Sequence, residues 1–188
     1  MTSAKKPKKI SKICGDNVKT ILSKTDILEL INRHPSLIEG YINLEEQLQP
    51  NGFDLTLKEV SLLQSGGKIA VSNKNRQISD LCPLMFDGMD DANLVPGSYV
   101  ITFNEIVNLP KNVMALGAPR SSLLRCGVTV HMAVWDAGYS GRSQSLLVVY
   151  NPNNFRVQRN ARIAQLVFFE LAKETEGYNG VYQGENIK

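Results

Sequence analysis

A chain of 188 residues, 43% hydrophobic and 21% charged, has the length of one domain with a substantial core and the composition of an ordinary globular protein. Its longest apolar runs, at 146–150 and 163–169, are far too short to cross a bilayer, and no apolar segment follows the basic N-terminus as a secretory signal requires, so an intracellular, cytoplasmic protein without a membrane is expected, with the nucleus an option in a eukaryote. The net charge of +3 belongs to one end: Lys5, Lys6, Lys8, Lys9 and Lys12 sit in an acid-free stretch, and without these five positives the rest of the chain carries −2.

That lysine segment, KKPKKISK, reads as a localisation signal or a weak contact with nucleic acid or another anionic surface, or more simply as a solubilising extension. A slightly acidic body predicts no stable nucleic-acid complex. The division that follows is a basic tail over 1–20, one domain over 21–174 and a flexible C-terminal tail over 175–188. Cys14, Cys82 and Cys126 have no paired spacing for zinc or disulfides, and His34 and His131 are too few and too far apart for a metal cluster.

In chain order, ILSKTDILELINRHP predicts a short helix, with Ser23 as N-cap, Asp26 three residues on, Ile27, Leu28 and Ile31 on one face, and Pro35 as a stop. NGFDLTLKEVSLL then alternates as a strand, with Phe53, Leu55 and Leu57 inward. Gly66-Gly67 between LLQ and KIAV predicts a hairpin, and SYVITFNEIV a strand opened by Pro96-Gly97. SLLVVY, an Asn/Pro turn at NPNNF and the strand ARIAQLVFFEL complete the pattern. One N-terminal helix followed by many short strands argues for an all-β fold, a distorted barrel or jelly-roll, and the crossover helices of a parallel α/β sheet are missing.

The chemically suggestive stretch is APRSSLLRCGVTVHMAVWDAGYSG. Arg120 offers a planar fork for phosphate oxygens, and Ser121 and Ser122 add short donors beside it, although such a tripeptide is commonly only a solvated loop. Asp136 precedes a glycine turn between apolar segments, where it either reaches into a cleft or caps its own backbone. Asp54, on the strand face opposite Phe53 and Leu55, is either outward and solvated or a carboxylate serving a nearby metal or cation. P-loop and dinucleotide fingerprints are absent, and neither histidine belongs to a recognisable triad.

Taken in order, these segments resemble the family containing dUTP diphosphatases and dCTP deaminases. ILSKTDILELI is similar to the N-terminal helix of the deaminase branch, PNGFDLTL to the first motif, and LVPGSYVITFNEIVNLP to the strand pair before the second. APRSSLLR resembles the second motif, VWDAGYSG the third, ARIAQLVFFEL the fourth and GVYQGE the deaminase-like C-terminus. The resemblance implies a β-barrel-like fold (a β-clip), a homotrimer with sites between subunits, and hydrolysis of a deoxyuridine triphosphate bound with Mg2+. It casts Asp136 as the residue that orients and deprotonates the attacking water, and Asp54 as a contact to the metal-bound water shell or a support for the neighbouring loop. Arg120, Ser121, Ser122 and Gln165 would hold phosphate oxygens, with Arg125 matching an arginine that the deaminases use. Tyr139 would pack on the sugar, the backbone around VTVHM, with His131, would read the base, and Tyr182 and Gln183 would touch ligand from the tail.

One position divides the branches. The deaminases place a glutamate five residues after the third motif's last glycine; here Gly141 is followed at that spacing by Leu146, and no acid occurs between Asp136 and Glu170. Without that carboxylate, deamination lacks an evident general base, so dUTP hydrolysis is expected, with dCTP deamination, alone or combined, and a non-catalytic nucleotide-binding protein as the alternatives. Val134-Trp135 replaces the family's more usual glycine and isoleucine, with Trp135 expected in the core, and Asn160 stands where a turn glycine is common.

Overall fold

The computed structural model describes residues 20–187; the lysine segment and Cys14 lie outside them. Its elements are α1 (Lys24–Ile31), β1 (Ile38–Glu39), α2 (Leu44–Gln47), β2 (Leu48–Gln49), β3 (Gly52–Leu63), β4 (Leu81–Pro83), β5 (Asp91–Leu94), β6 (Gly97–Phe103), β7 (Ile106–Asn108), β8 (Val113–Pro119), α3 (Ser121–Arg125), β9 (Val128–His131), β10 (Ser140–Gly141), β11 (Gln144–Val149), β12 (Phe155–Gln158) and β13 (Arg162–Glu170). The main antiparallel sheet runs β8-β13-β3-β6-β11-β9, with β2 and β4 added to β3, and two small sheets, β1-β7-β10 and β12-β5, flank it. Its edge strands β8 and β9 approach one another, so the sheet curls into a nearly closed barrel. Among the described residues no helix is long and apolar enough to span a membrane.

The expected all-β barrel with a short leading helix is therefore what the chain forms, with α2 and α3 as two further helical turns. Ser23 caps α1 in a full capping box, its Oγ accepting from the Asp26 N–H while Asp26 Oδ2 accepts from the Ser23 N–H at 2.9 Å. Ile27 and Ile31 are buried and Leu28 packs against the core, but the helix stops at Ile31, short of Pro35.

The twelve-residue β3 is the spine, pairing with β13 on one side and β6 on the other. Phe53, Leu55 and Leu57 are fully buried as alternation predicts. The opposite face is buried too, so Asp54 is 2% exposed and not a solvated strand residue.

Two strand expectations are corrected. Gly66-Gly67 does not close a hairpin onto KIAV. The partner of β3 is β4, in register Leu63↔Leu81 and Leu62↔Cys82, and the span between carries only a Lys68–Gln77 bridge and a 3₁₀ turn, Asn73–Asn75. SYVITFNEIV is broken into β6 and β7 because Glu105, wholly buried, turns inward between them. Its carboxylate accepts from the Thr56 N–H at 2.9 Å, Thr56 Oγ1 at 2.6 Å and Gln47 Nε2 at 2.7 Å. Gln47 Nε2 also donates to the Asp54 carbonyl at 2.8 Å, so one polar knot ties α2, the β6–β7 corner and β3 together directly behind Asp54.

Candidate active site

At one end of β8 the chain turns into α3 and presents Arg120, Ser121, Ser122 and Arg125. Both serines and Arg125 are exposed, with Arg125 Nη1 resting 3.5 Å from the Ser121 carbonyl one turn back. Arg120 is fixed from behind: its N–H donates to the Ile163 carbonyl at 3.0 Å, its Nη1 to the Arg162 carbonyl at 3.4 Å, and its Nε lies 3.1 Å from Asp54 Oδ2. Of five N–H donors, two are thereby directed inward and three remain for a ligand.

Asp54 and Gln165 are cross-strand partners on β3 and β13, and Gln165 is also paired with Ala118 on β8, so the three strands carry Asp54, Gln165 and Arg120 to the same corner. The Gln165 side chain lies across Gly52: a Cβ there would come within 2.6 Å of its Nε2. Asp54 also faces a cation not singled out in the sequence, Arg162, whose Nη1 is 3.6 Å from Oδ2. Oδ2 has these two ion pairs but no hydrogen bond of good geometry. Burial pushes the Asp54 carboxyl above its usual range, and the two guanidiniums pull it back.

The other group of residues lies at the far end of β8. Trp135 bridges backbone to backbone with Ala115, and it is buried as expected, its Nε1 donating to Ser143 Oγ at 3.1 Å. Asp136 follows it, exposed, and its carboxylate has no ion pair or side-chain hydrogen bond among the described residues. From Ala115 to Arg120 is five residues of strand, about 16 Å at about 3.3 Å per residue. Within one chain, then, the arginine–serine group and Asp136 are not brought together.

Asp136, Trp135, Tyr139, Ser143, Tyr178 and Glu185 line a cavity of about 270 Å3. The residues read as a flexible tail bring Glu185 there. Gly184 N–H donates to the Ser140 carbonyl at 2.8 Å, Arg142 N–H to the Glu185 carbonyl at 2.9 Å, and Tyr178 N–H to the Ala137 carbonyl at 2.8 Å. Gln183 accepts from the Ser140 N–H at 3.0 Å and donates to the Gly138 carbonyl at 3.1 Å, while Tyr182 lies under the Arg76 guanidinium at 5.5 Å. Tyr139 is buried, stacks edge-on against Tyr178 and donates its hydroxyl to Glu185 at 2.8 Å. Burial, followed by the Glu185 contact, pushes the Tyr139 phenol far upward; burial also raises Glu185, against the Tyr139 hydrogen bond. Gly138 has a left-handed φ of 82° and Gly177 passes so close that a Cβ on Gly138 would lie 2.7 Å from its Cα, which is why the third motif needs a glycine there.

His131 ends β9, exposed, directly opposite Leu146 on β11. Asn160 has φ 64°, the left-handed turn for which asparagine substitutes for glycine. Cys82 and Cys126 are free thiols. Arg162 and Glu185 are the residues that sequence reasoning missed; Arg162 stood in the quoted ARIAQL segment and Glu185 ends the quoted GVYQGE segment, but no spacing connects either to its partner.

Comparisons with known proteins identify the family. The dCTP deaminase-like family profile matches residues 21–171. A relative from Methanosarcina acetivorans, named "Probable deoxyuridine 5'-triphosphate nucleotidohydrolase", is 50% identical over 170 residues, 90% of this chain and 99% of the relative. Its namesake from Methanosarcina barkeri is also 50% identical over 170 residues, with the same shares covered. Among solved structures, the 2'-deoxycytidine 5'-triphosphate deaminase from Agrobacterium tumefaciens has a TM-score of 0.60 at 22% identity, covering 82% of this chain and 49% of that one; it is a likeness of fold, and this chain spans about half that enzyme's length. By sequence profile and by near end-to-end identity to such relatives, the chain belongs to the dCTP deaminase-like family.

Proposed function

We propose that this protein is a dUTP nucleotidohydrolase, cleaving dUTP to dUMP and pyrophosphate and so limiting uracil incorporation into DNA. The observation that carries the reading is the 50% identity, across nearly the full length of both chains, to relatives named for that activity. Leu146 supports it: at the position where the resemblance calls for a deaminase glutamate, an apolar side chain stands opposite His131.

Asp136, exposed and without a partner among the described residues, is assigned to orient the attacking water and take its proton. Arg120, Ser121, Ser122, Arg125 and Gln165 are assigned to the phosphate oxygens, where donors held in advance stabilise the charge that develops as pyrophosphate leaves. Tyr139, His131, Tyr182 and Gln183 stay with sugar, base edge and closure of the site. Magnesium prefers phosphate oxygens and water to a protein cage, so the lack, among the described residues, of any group of three His, Cys, Asp or Glu placed to hold a metal is no objection to it. Asp136 suits a contact to a water of its shell. Asp54 does not, because it is buried between two guanidiniums, and we assign it to holding Arg120.

A water in line with the α-phosphorus must sit within about 3.5 Å of it, and about 16 Å of strand separates Arg120 from Ala115, the residue bridged to the neighbour of Asp136. This favours a homotrimer whose sites take the phosphate grip from one copy and the carboxylate from another. A second reading, deamination of dCTP to dUTP and ammonia, is favoured by one observation: Glu185 puts a carboxylate into the Asp136 cavity even though Leu146 does not. Incubating the protein with dUTP and with dCTP, with and without magnesium, separates the readings. Release of dUMP and pyrophosphate from dUTP alone is expected; ammonia from dCTP that disappears in Glu185→Gln would establish the second reading, and no turnover of either would leave a nucleotide-binding protein.

A further inference from the structure

We propose that Arg162, assigned no role by the family resemblance, is a positioning residue for the phosphate grip, acting on Arg120 through Asp54. The proposal rests on the phosphate reading of Arg120 and deepens it. Asp54 Oδ2 is shared by two guanidiniums, Arg120 at 3.1 Å and Arg162 at 3.6 Å. A carboxylate 2% exposed resists ionisation unless cations face it, and these two are the ones that do. Arg162 is itself held from the other side, its Nη1 donating to the Glu46 carbonyl and its Nη2 3.9 Å from Glu46 Oε2 at the end of α2. Its own carbonyl accepts from Arg120 Nη1 at 3.4 Å. A chain of charge therefore runs Glu46, Arg162, Asp54, Arg120 and stops at the three Arg120 donors that have no partner among the described residues.

The physical consequence is a division of labour. With Arg162 in place, Asp54 is only partly neutralised by Arg120, so Arg120 keeps charge and donors for phosphate. Without it, Asp54 is a buried carboxylate with a single cation, and Arg120 is drawn inward to neutralise it or Asp54 takes up a proton and releases Arg120 from its fixed direction. Either way those three donors are lost from their positions. Arg162 and Asp136 lie at opposite ends of the β8–β13 pair, so the loss falls on phosphate binding and not on the proton-transfer step.

The test measures binding of inorganic tripolyphosphate and of dUTP by calorimetry, with steady-state kinetics on dUTP, for wild type, Arg162→Met, Arg162→Lys and Arg120→Lys, alongside melting temperatures. Arg162→Met is expected to weaken tripolyphosphate binding and to lower kcat/KM for dUTP, each by about tenfold, and Arg162→Lys, which restores the cation, to recover most of both losses. The effects of Arg162→Met and Arg120→Lys should be less than additive, since both act through one guanidinium. A lower melting temperature with unchanged tripolyphosphate affinity and kcat/KM would overturn the proposal, as would strict additivity. Should Arg162→Met fail to fold, Arg162→Gln, which also removes the cation but can still donate to the Glu46 carbonyl, carries the test, with the same loss of tripolyphosphate affinity expected and wild-type affinity and kcat/KM overturning it. Failure of wild type to bind tripolyphosphate or dUTP at all would instead remove the phosphate site, and this inference with it.

Discussion

The two ends of β8 are built on opposite principles. At the Arg120 end, the charged groups of the grip hold one another: Arg120 is held by Asp54 and the Arg162 carbonyl, Asp54 by two guanidiniums, and the strand beneath by the Gln47–Glu105–Thr56 knot. At the Asp136 end, the carboxylate is free among the described residues, and the turn around it is backed by the chain's own last residues. A phosphate grip gains from being fixed before the ligand arrives, because ordering it then costs nothing at the moment of binding. A residue that must take up and pass on a proton gains from being open to water. Damage at the two ends should therefore read out differently.

Asp136→Asn should give the largest effect. It removes the proton acceptor while preserving shape, so turnover of dUTP is expected to fall by about a thousandfold or more, with dUTP binding within a few-fold of wild type. Stopped turnover with intact binding would mark this end as chemistry; a near-normal rate would take Asp136 out of its assigned role.

Arg120→Met should lower turnover as well but, unlike Asp136→Asn, should also weaken tripolyphosphate binding by about ten- to a hundredfold, the scale of a charge-assisted hydrogen bond of about 1.5–3 kcal/mol. The pair also tests where the site lies. Each variant alone is crippled, but if one site takes Arg120 and Asp136 from different copies, trimers co-assembled from equal amounts of the two should regain about a quarter of wild-type activity. If both residues served one site from the same chain, co-assembly would restore nothing.

The two ends were also unequally legible in the sequence. Strand alternation found β3, and apolar runs bounded by turn signals found β11 and β13, because both patterns are written locally, and the Ser23–Asp26 box was read for the same reason. The Gly66-Gly67 signal misled: a turn dipeptide marks where a hairpin is possible, while the partner is chosen by side-chain pairing, here Leu63 with Leu81 across a long loop. Alternation left Asp54 either solvated or serving a metal or cation, because the sequence does not reveal that a second layer covers that face. Arg162 and Glu185 act through contacts 108 and 46 residues away in sequence, Arg162 on Asp54 and Glu185 on Tyr139, distances at which spacing carries no information.

Stability should separate the ends by a smaller margin. Glu105→Gln places an amide where the Thr56 N–H, Thr56 Oγ1 and Gln47 Nε2 all donate, so at least one buried donor loses its acceptor, at a cost of about 1–3 kcal/mol. The pH dependence has a definite sign. Burial raises the folded pKa of Glu105 above its usual value of 4.5, so in the interval from there up to the raised value the folded chain holds a proton that the unfolded chain has released. Stability then declines as pH rises across that interval, and Glu105→Gln should flatten the slope in chemical denaturation series. An unchanged slope would mean that Glu105 ionises as easily in the fold as out of it.

Glu185→Gln should be the mildest change, and it tests whether the Asp136 end is as loosely held as its construction implies. The glutamine still offers an oxygen to the Tyr139 hydroxyl, and the tail keeps its backbone bonds to Ser140 and Arg142. Global stability should therefore move by less than about 1 kcal/mol, because the hydrogen bond is weakened and not removed. The effect should be local instead: faster amide exchange at Ser140, Arg142 and Gly184, with no change at Thr56 behind the phosphate grip. Exchange that quickened equally at Thr56 would show the two ends to be one cooperative unit, and the contrast between a fixed grip and an open carboxylate would fail.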